Sequence, residues 1–226
     1  KKIVIASRSS DLAKAQTNLV ASTLKKAGFN NIEKIFLKSK GDVVSSKEFK
    51  NSGGKGLFTK EIDKLVIENK VDIGVHSAKD IPGILDYRLK IGAYLRREDA
   101  RDVLVTRSPS INSLMLLPKN TTLGTSSLRR KAYIKLIRPD VKVIDIRGNI
   151  ETRIQKVLHN ELYSIIIAKA GLNRLKHLHK RLNISSIPFS QILPSPGQGA
   201  IAVVHNKKNK VIQKLCKIIG CNKTII

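Results

Sequence analysis

The stretch Val71-Asp72-Ile73-Gly74-Val75-His76-Ser77-Ala78-Lys79-Asp80-Ile81-Pro82 decides how this chain folds. Its first five residues read as an apolar strand, and Pro82 forbids the strand from continuing. Lys79 and Asp80 therefore stand side by side just past the carboxyl end of a strand, which is where open α/β sheets bind ligands. A cation and an acid fixed there suit a ligand with carboxylates of its own and a proton to move. An ordinary surface ion pair is the competing reading, and the remaining motifs favour the first.

Outward from that stretch, strands and helices alternate. Lys2–Ala6 reads as a strand, followed by a helix over Asp11–Ala27 with Ser10 as its N-cap and Gly28 just past its end. Leu12, Ala15, Leu19 and Leu24 supply its expected buried stripe. Strand Ile32–Lys38 leads to a long loop, a helix over Leu57–Asn69, the strand before Lys79, and a further strand at Leu89–Leu95. Beyond the charged run Arg96–Asp102 the pattern restarts. Strands are expected at Val103–Thr106, Thr122–Gly124, Val141–Ile146 and Ser164–Ala168, with helices at Ile111–Leu117, Leu128–Ile137 and Ile150–Leu158. Pro194-Ser195-Pro196-Gly197-Gln198-Gly199 is a loop, and the strand Ala200–Val204 returns the chain to its first part. The fold class is α/β, in two lobes, with Arg96–Asp102 and Pro188–Pro196 as the crossings between them.

The chain has 226 residues, 41% of them hydrophobic, enough for a sizeable core. No apolar run is long enough to span a membrane. Cys216 and Cys221 make no disulfide framework, no Cys/His set has zinc spacing, and the expected location is cytoplasmic. The net charge of +26 is compatible with nucleic acid, an anionic membrane surface, a polyanionic small molecule, or compositional drift toward Lys, Ile and Asn. With 4% aromatics and no Trp, a base-stacking platform is poorly supplied.

The arginines are more telling than the lysines. Thr125-Ser126-Ser127-Leu128-Arg129-Arg130 brings free N–H groups of a helix start, hydroxyls and two guanidiniums to one place, a natural anion site. A plain N-cap with exposed arginines is the bland alternative. Arg147 follows an apolar strand beside Gly148, Arg153 lies near the start of the next helix, and Arg174 follows another strand and turn. Together they describe a cationic cleft at one edge of the second lobe. Arg8 and Ser10, just after the first strand, belong to the same cleft. Gly53-Gly54-Lys55-Gly56 lacks the Walker spacing and reads as a glycine-rich lid with Lys55 near its tip. His76 is expected to be a packed strand-end residue, and His177 and His179 lie on different helix faces.

Val75–Pro82, Gly53–Thr59, Arg96–Asp102, Gly124–Arg130, Arg147–Arg153 and Leu193–Ala200 together resemble the porphobilinogen deaminase family, also called hydroxymethylbilane synthases. The resemblance runs in order from Lys2 to Ala202. It implies a transferase of porphyrin and heme biosynthesis whose first two domains are periplasmic-binding-protein-like lobes with an active-site cleft between them. Such enzymes join four porphobilinogen units head to tail into hydroxymethylbilane, releasing ammonia each time. They build on a dipyrromethane cofactor held through a thioether to a cysteine of a third domain. Carried over by motif, Asp80 is the catalytic acid/base. Ser77, Lys79, Asp80, Thr125, Ser127, Arg129, Arg130 and Arg147 hold the cofactor. Arg8, Ser10, Lys55, Arg153 and Arg174 bind substrate carboxylates, with no metal.

The resemblance places residues 1–97 with 198–216 in lobe 1, 102–192 in lobe 2, and 217–226 at the start of a third, cofactor-bearing domain expected to be absent from this chain. Neither Cys216 nor Cys221 stands in the family's context for the attachment cysteine. Val204-His205-Asn206 departs from the glutamate, cysteine and arginine usual there. The implied partner is porphobilinogen, with no nucleic acid or membrane, and the implied state is a monomer. A two-lobed binding protein for small carboxylates, without catalysis, is the alternative function.

Overall fold

The short apolar runs of the sequence become strands of two separate sheets, the central runs shielded on both faces and the edge runs partly exposed. The computed structural model describes residues 2–38, 59–175 and 182–224. The chain divides into two compact units, residues 1–98 with 200–226 and residues 99–199. In chain order the first unit supplies β1 (Ile3–Arg8), α1 (Asp11–Lys26), β2 (Ile32–Leu37), α2 (Lys60–Ile67), β3 (Ile73–Ser77) and β4 (Leu89–Tyr94). The second supplies β5 (Asp102–Thr106), β6 (Thr122–Gly124), α3 (Leu128–Ile137), β7 (Lys142–Ile144), α4 (Ile150–Leu158), β8 (Ser164–Ala168), α5 (Lys169–Arg174) and β9 (Asn183–Ser186). The chain then returns with β10 (Ile201–Asn206) and α6 (Lys210–Ile219).

The two sheets share one plan. Their orders are β2-β1-β3-β10-β4 and β7-β6-β8-β5-β9. In each, three parallel strands meet an antiparallel fourth, β10 against β3 and β5 against β8. The parallel strands thus end along one edge of their sheet, and the antiparallel strand begins there. Every residue of β5 and of β10 is buried, as befits strands second from the edge and covered by helices.

Helix α1 begins at Ser10, whose Oγ accepts a hydrogen bond from the Ala13 N–H, and carries Lys25 and Lys26 in its last turn. Its buried face differs from the expected stripe. Leu24 is buried, but so are Ala13, Gln16, Thr17, Val20 and Ala21, whereas Leu19 is 46% exposed. The reason is polar pairing. Gln16 Nε2 donates to Ser77 Oγ (2.8 Å) and Thr17 Oγ1 to Ser7 Oγ (2.6 Å), so α1 turns its amide and hydroxyl toward the ends of β3 and β1.

Residues 111–117 do not form the expected helix; only a single 3-10 turn at Leu114–Leu116 is present. The carbonyls there are satisfied from outside. Arg138, 7% exposed, donates to the carbonyls of Leu114 (2.6 Å), Met115 (3.1 Å) and Leu117 (2.7 Å), and its guanidinium also pairs with Asp140 (2.6 Å). One side chain thus replaces a helical hydrogen-bond ladder. Arg138→Leu is expected to cost roughly 3–5 kcal/mol, because it orphans buried carbonyls and breaks a partly buried ion pair. The expected fall in Tm is roughly 6–20 °C for a chain of this size. Differential scanning calorimetry checks it, and a change under 2 °C would refute the account.

The strand expected over Val141–Ile146 is confined to Lys142–Ile144, and residues 183–186 add an edge strand that the sequence reading did not include. Residues 217–224, expected to open a further domain, lie with the first unit. The Cys221 N–H donates to the Tyr94 carbonyl (2.8 Å) and the Arg97 N–H to Thr224 Oγ1 (3.0 Å). Helix α6 buries Ile212, Leu215, Cys216 and Ile219 in the core of that unit. The close approach is possible because position 92 is glycine. A Cβ there would meet His205 Cδ2 at 2.5 Å and Cys216 Sγ at 2.7 Å. His205 is fully buried, and that burial holds its imidazole below the ordinary range and hence neutral.

Candidate functional site

In the first unit the ends of β1 and β3 lie side by side, so the segments leaving the two strands share one edge. Arg8 closes β1 and Ser10 comes just after it; Ser77 closes β3, and the 3-10 turn Ala78–Asp80 comes next. That turn is anchored by the Ala78 N–H donating to the Ala200 carbonyl (3.0 Å), beside the start of β10. Lys79 is exposed and Asp80 half-buried. The Asp80 carboxylate makes no hydrogen bond or ion pair among the described residues, although the chain carries 43 Lys and Arg against 17 Asp and Glu. His76, by contrast, is a buried packing residue, its Nε2 3.2 Å from Asp63 Oδ1 on α2. Lys55 with its glycine-rich loop, and His177 and His179, fall outside the described residues.

In the second unit the ends of β6, β7 and β8 are neighbours, and each delivers basic residues to one edge. After β6, Thr125 Oγ1 accepts from the Ser127 N–H (3.3 Å), and Ser127 Oγ caps α3 by accepting from the Arg130 N–H (3.4 Å). The N–H groups of Leu128 and Arg129, at the open start of α3, make no hydrogen bond among the described residues. Ser126 Oγ donates to the Ile146 carbonyl, which ties this turn to the segment after β7. There Gly148 adopts φ +101°, and a Cβ would meet Thr152 at 2.8 Å. That bend lets Asn149 cap α4 through the Thr152 N–H (2.8 Å) and lets Arg153 Nε donate to the Gly148 carbonyl (2.9 Å).

Arg130, Arg147 and Arg153 crowd one corner. Burial, then the charges of Arg130 and Arg147, hold the Arg153 guanidinium below its ordinary range. Arg129, Arg130 and Arg174 are also engaged within the second unit. Arg129 Nη2 donates to Asp102 Oδ2 (2.8 Å), its Nε to Ser195 Oγ (3.1 Å) and its Nη1 to the Leu193 carbonyl. Arg130 Nη2 donates to Asp102 Oδ1 (2.7 Å) and its Nη1 to the Ile166 carbonyl (3.1 Å), leaving Nε buried without a partner among the described residues. Arg174 Nη2 donates to the Gly199 carbonyl (2.7 Å). Asp102 and Gln198 are the residues the sequence reading did not single out for this edge. The sign was an acid heading the otherwise apolar strand Asp102–Thr106.

With this geometry established, likeness to known proteins becomes decisive. The family model described as "Porphobilinogen deaminase, dipyromethane cofactor binding domain" matches residues 3–214. The chain belongs to the porphobilinogen deaminase family. The porphobilinogen deaminase of Rickettsia typhi is 42% identical over 219 residues, covering 96% of this chain and 72% of the relative. The probable porphobilinogen deaminase of Methanopyrus kandleri is 38% identical over 224 residues, covering 98% and 74%. Its function is accordingly that of a porphobilinogen deaminase, a transferase of tetrapyrrole biosynthesis.

Solved structures agree in fold. The second substrate binding domain of a putative amino acid ABC transporter from Streptococcus pneumoniae superposes with a TM-score of 0.59 at 12% identity, over 96% of this chain and 90% of that one. An ancestral cationic amino acid solute binding protein gives 0.56 at 11%, over 95% and 86%. The porphobilinogen deaminase fold here is therefore the two-lobed α/β fold of periplasmic binding proteins.

The residues present fit a dipyrromethane. That group is an acceptor-rich polyanion, and the second unit offers donors to meet it: the buried Arg130 Nε and the α3 amides, without partners among the described residues, and the Arg153 guanidinium crowded by the charges of Arg130 and Arg147. Cys216 does not suit a covalent attachment, because burial pushes its thiol up to about 12. Cys221 is half-buried, its thiol lowered chiefly by a hydrogen bond with the Thr224 side chain. Among the described residues no helix is long and apolar enough to cross a membrane, and no cluster of His, Cys, Asp and Glu could hold a metal.

Proposed function

We propose that this chain joins porphobilinogen units into hydroxymethylbilane with Asp80 as the catalytic group. The observation that carries this is the Asp80 carboxylate, without a partner among the described residues and held in a short turn at the end of β3 beside Lys79 in a strongly basic chain. Loss of ammonia from porphobilinogen leaves positive charge on the pyrrole nitrogen. A carboxylate with no partner among the described residues can accept the pyrrole N–H and stabilise that charge as it develops. The same oxygen can take up the proton released when the new carbon–carbon bond forms. Lys79, Ser77, Thr125, Ser127, Arg129, Arg130 and Arg147 would hold the dipyrromethane. Bound there, the dipyrromethane supplies the pyrrole carbon to which the first unit is joined. Arg8, Ser10, Lys55, Arg153 and Arg174 bind the acetate and propionate groups of incoming substrate. The protein acts as a monomer in the cytoplasm, where Cys216 and Cys221 stay as free thiols.

The test is to incubate the purified protein with porphobilinogen and to measure ammonia together with the mass of the product. One ammonia per porphobilinogen consumed, with a linear tetrapyrrole as product, supports the reading. Calorimetric binding of porphobilinogen with no ammonia released would make the chain a carboxylate-binding protein instead.

A further inference from the structure

We propose that Asp102 is a positioning residue, the internal counter-ion that Arg129 and Arg130 hold while no ligand carboxylate is bound. This rests on the reading of residues 125–130 as part of a carboxylate site. Topology first places the acid. Strand β5 runs antiparallel to β8, with Asp102 opposite Ala168, so the first residue of β5 reaches the edge where the parallel strands end. The strand behind it, Val103-Leu104-Val105, is wholly buried and needs no acid for its own sake.

Geometry then shows what the acid does. Its carboxylate is 1% exposed and accepts from three donors: Arg129 Nη2 at 2.8 Å, Arg130 Nη2 at 2.7 Å and Gln198 Nε2 at 2.8 Å. Gln198 also donates to the Ala100 carbonyl (2.7 Å), which fixes the carboxylate against the segment leading into β5. Burial, the largest single influence, pushes the Asp102 carboxyl up, yet Arg130 and Arg129 together outweigh it and keep it ionised.

The consequence concerns the ligand-free protein. A guanidinium as buried as that of Arg130, 6% exposed, is costly without a negative partner. Until the carboxylates of a dipyrromethane are seated, both arginines would stand without a ligand anion. Asp102 supplies the missing charge in that state. It engages only one nitrogen of each guanidinium, so Arg130 Nε remains to greet a ligand carboxylate. Asp102 therefore keeps both arginines oriented and makes their grip on a ligand exchangeable.

Thermal unfolding of the full chain carrying Asp102→Asn tests this, with porphobilinogen, whose acetate and propionate stand in for those of one dipyrromethane ring, compared against sodium chloride at equal ionic strength. The chloride control removes general screening of the +26 charge. In chloride the variant is expected to melt roughly 10 °C below the wild type. Millimolar porphobilinogen is expected to return at least half of that loss, a larger rise than it gives the wild type. Equal rises in both proteins would overturn the proposal and leave Asp102 as a tie within the fold. No rise in either would remove the carboxylate site itself, and the proposal with it. Should the variant fail to fold, Arg129→Gln carries the test, since Arg130 and Gln198 still hold Asp102. Its porphobilinogen-induced rise is expected to be less than half that of the wild type, and a full rise would overturn the proposal.

Discussion

Replacing Asp80 by asparagine is expected to lower the rate of ammonia release by roughly 100- to 10,000-fold, the range of a positioned acid/base group. The amide keeps the size and one acceptor oxygen of the carboxylate but cannot balance a positive charge on a pyrrole nitrogen. Stability should scarcely change. Asp80 sits half-buried in a 3-10 turn held by the backbone contact of Ala78 with Ala200, and its own side chain ties nothing together among the described residues. Surface changes of this kind usually stay within about 0.5 kcal/mol. Porphobilinogen affinity should move by less than about tenfold, because its carboxylates are held by other residues. The loss should therefore appear in kcat rather than in KM. A variant that releases ammonia at the wild-type rate would remove Asp80 from the chemistry. One that melts far below the wild type would make its role structural.

The edge on which Asp80 stands could be read from sequence because it depends on local signals. An apolar run ending at Pro82 marks a strand end, and strand ends in α/β sheets collect ligands. The same logic located Arg8, the segment Thr125–Arg130, and Arg147, each at or shortly after the end of a parallel strand. Partnership across the sheet was not legible in this way. Asp102 precedes Arg129 and Arg130 by 27 and 28 residues, and their pairing requires β5 to lie antiparallel beside β8. Nothing in the spacing of hydrophobic residues specifies that neighbour. The buried face of helix α1 departs from its apolar pattern for a related reason. Gln16 and Thr17 look like solvent residues until Ser77 and Ser7 are known to lie opposite them. Residues 111–117 have a helix-like apolar pattern, yet their carbonyls turn to Arg138, whose position is set only by the end of α3. In each case a polar contact between distant segments overrode a local preference.

Arg153 offers a sharper test of the cationic corner, because there function and stability are expected to diverge. Its guanidinium is held below its ordinary range by burial and by the charges of Arg130 and Arg147, so the ligand-free protein bears an unfavourable concentration of positive charge. A ligand carboxylate relieves it, and a charge-assisted hydrogen bond of this kind contributes about 1.5–3 kcal/mol. Arg153→Gln should therefore weaken porphobilinogen binding by roughly 10- to 100-fold, since each factor of ten corresponds to about 1.4 kcal/mol. In the absence of ligand the same change gives up the hydrogen bond to the Gly148 carbonyl but relieves the repulsion. These effects oppose each other, and Tm should stay within about 2 °C of the wild type. Titration calorimetry at two ionic strengths supplies the second half of the test. Wild-type affinity should fall steeply with added salt, and the variant's less so, because one fewer charge pair is being screened. A Tm lowered by roughly 6 °C or more with unaltered affinity would mean that Arg153 holds α4 in place rather than substrate. Weakened binding at unchanged Tm is the outcome expected of a residue whose charge the fold tolerates for the sake of its ligand.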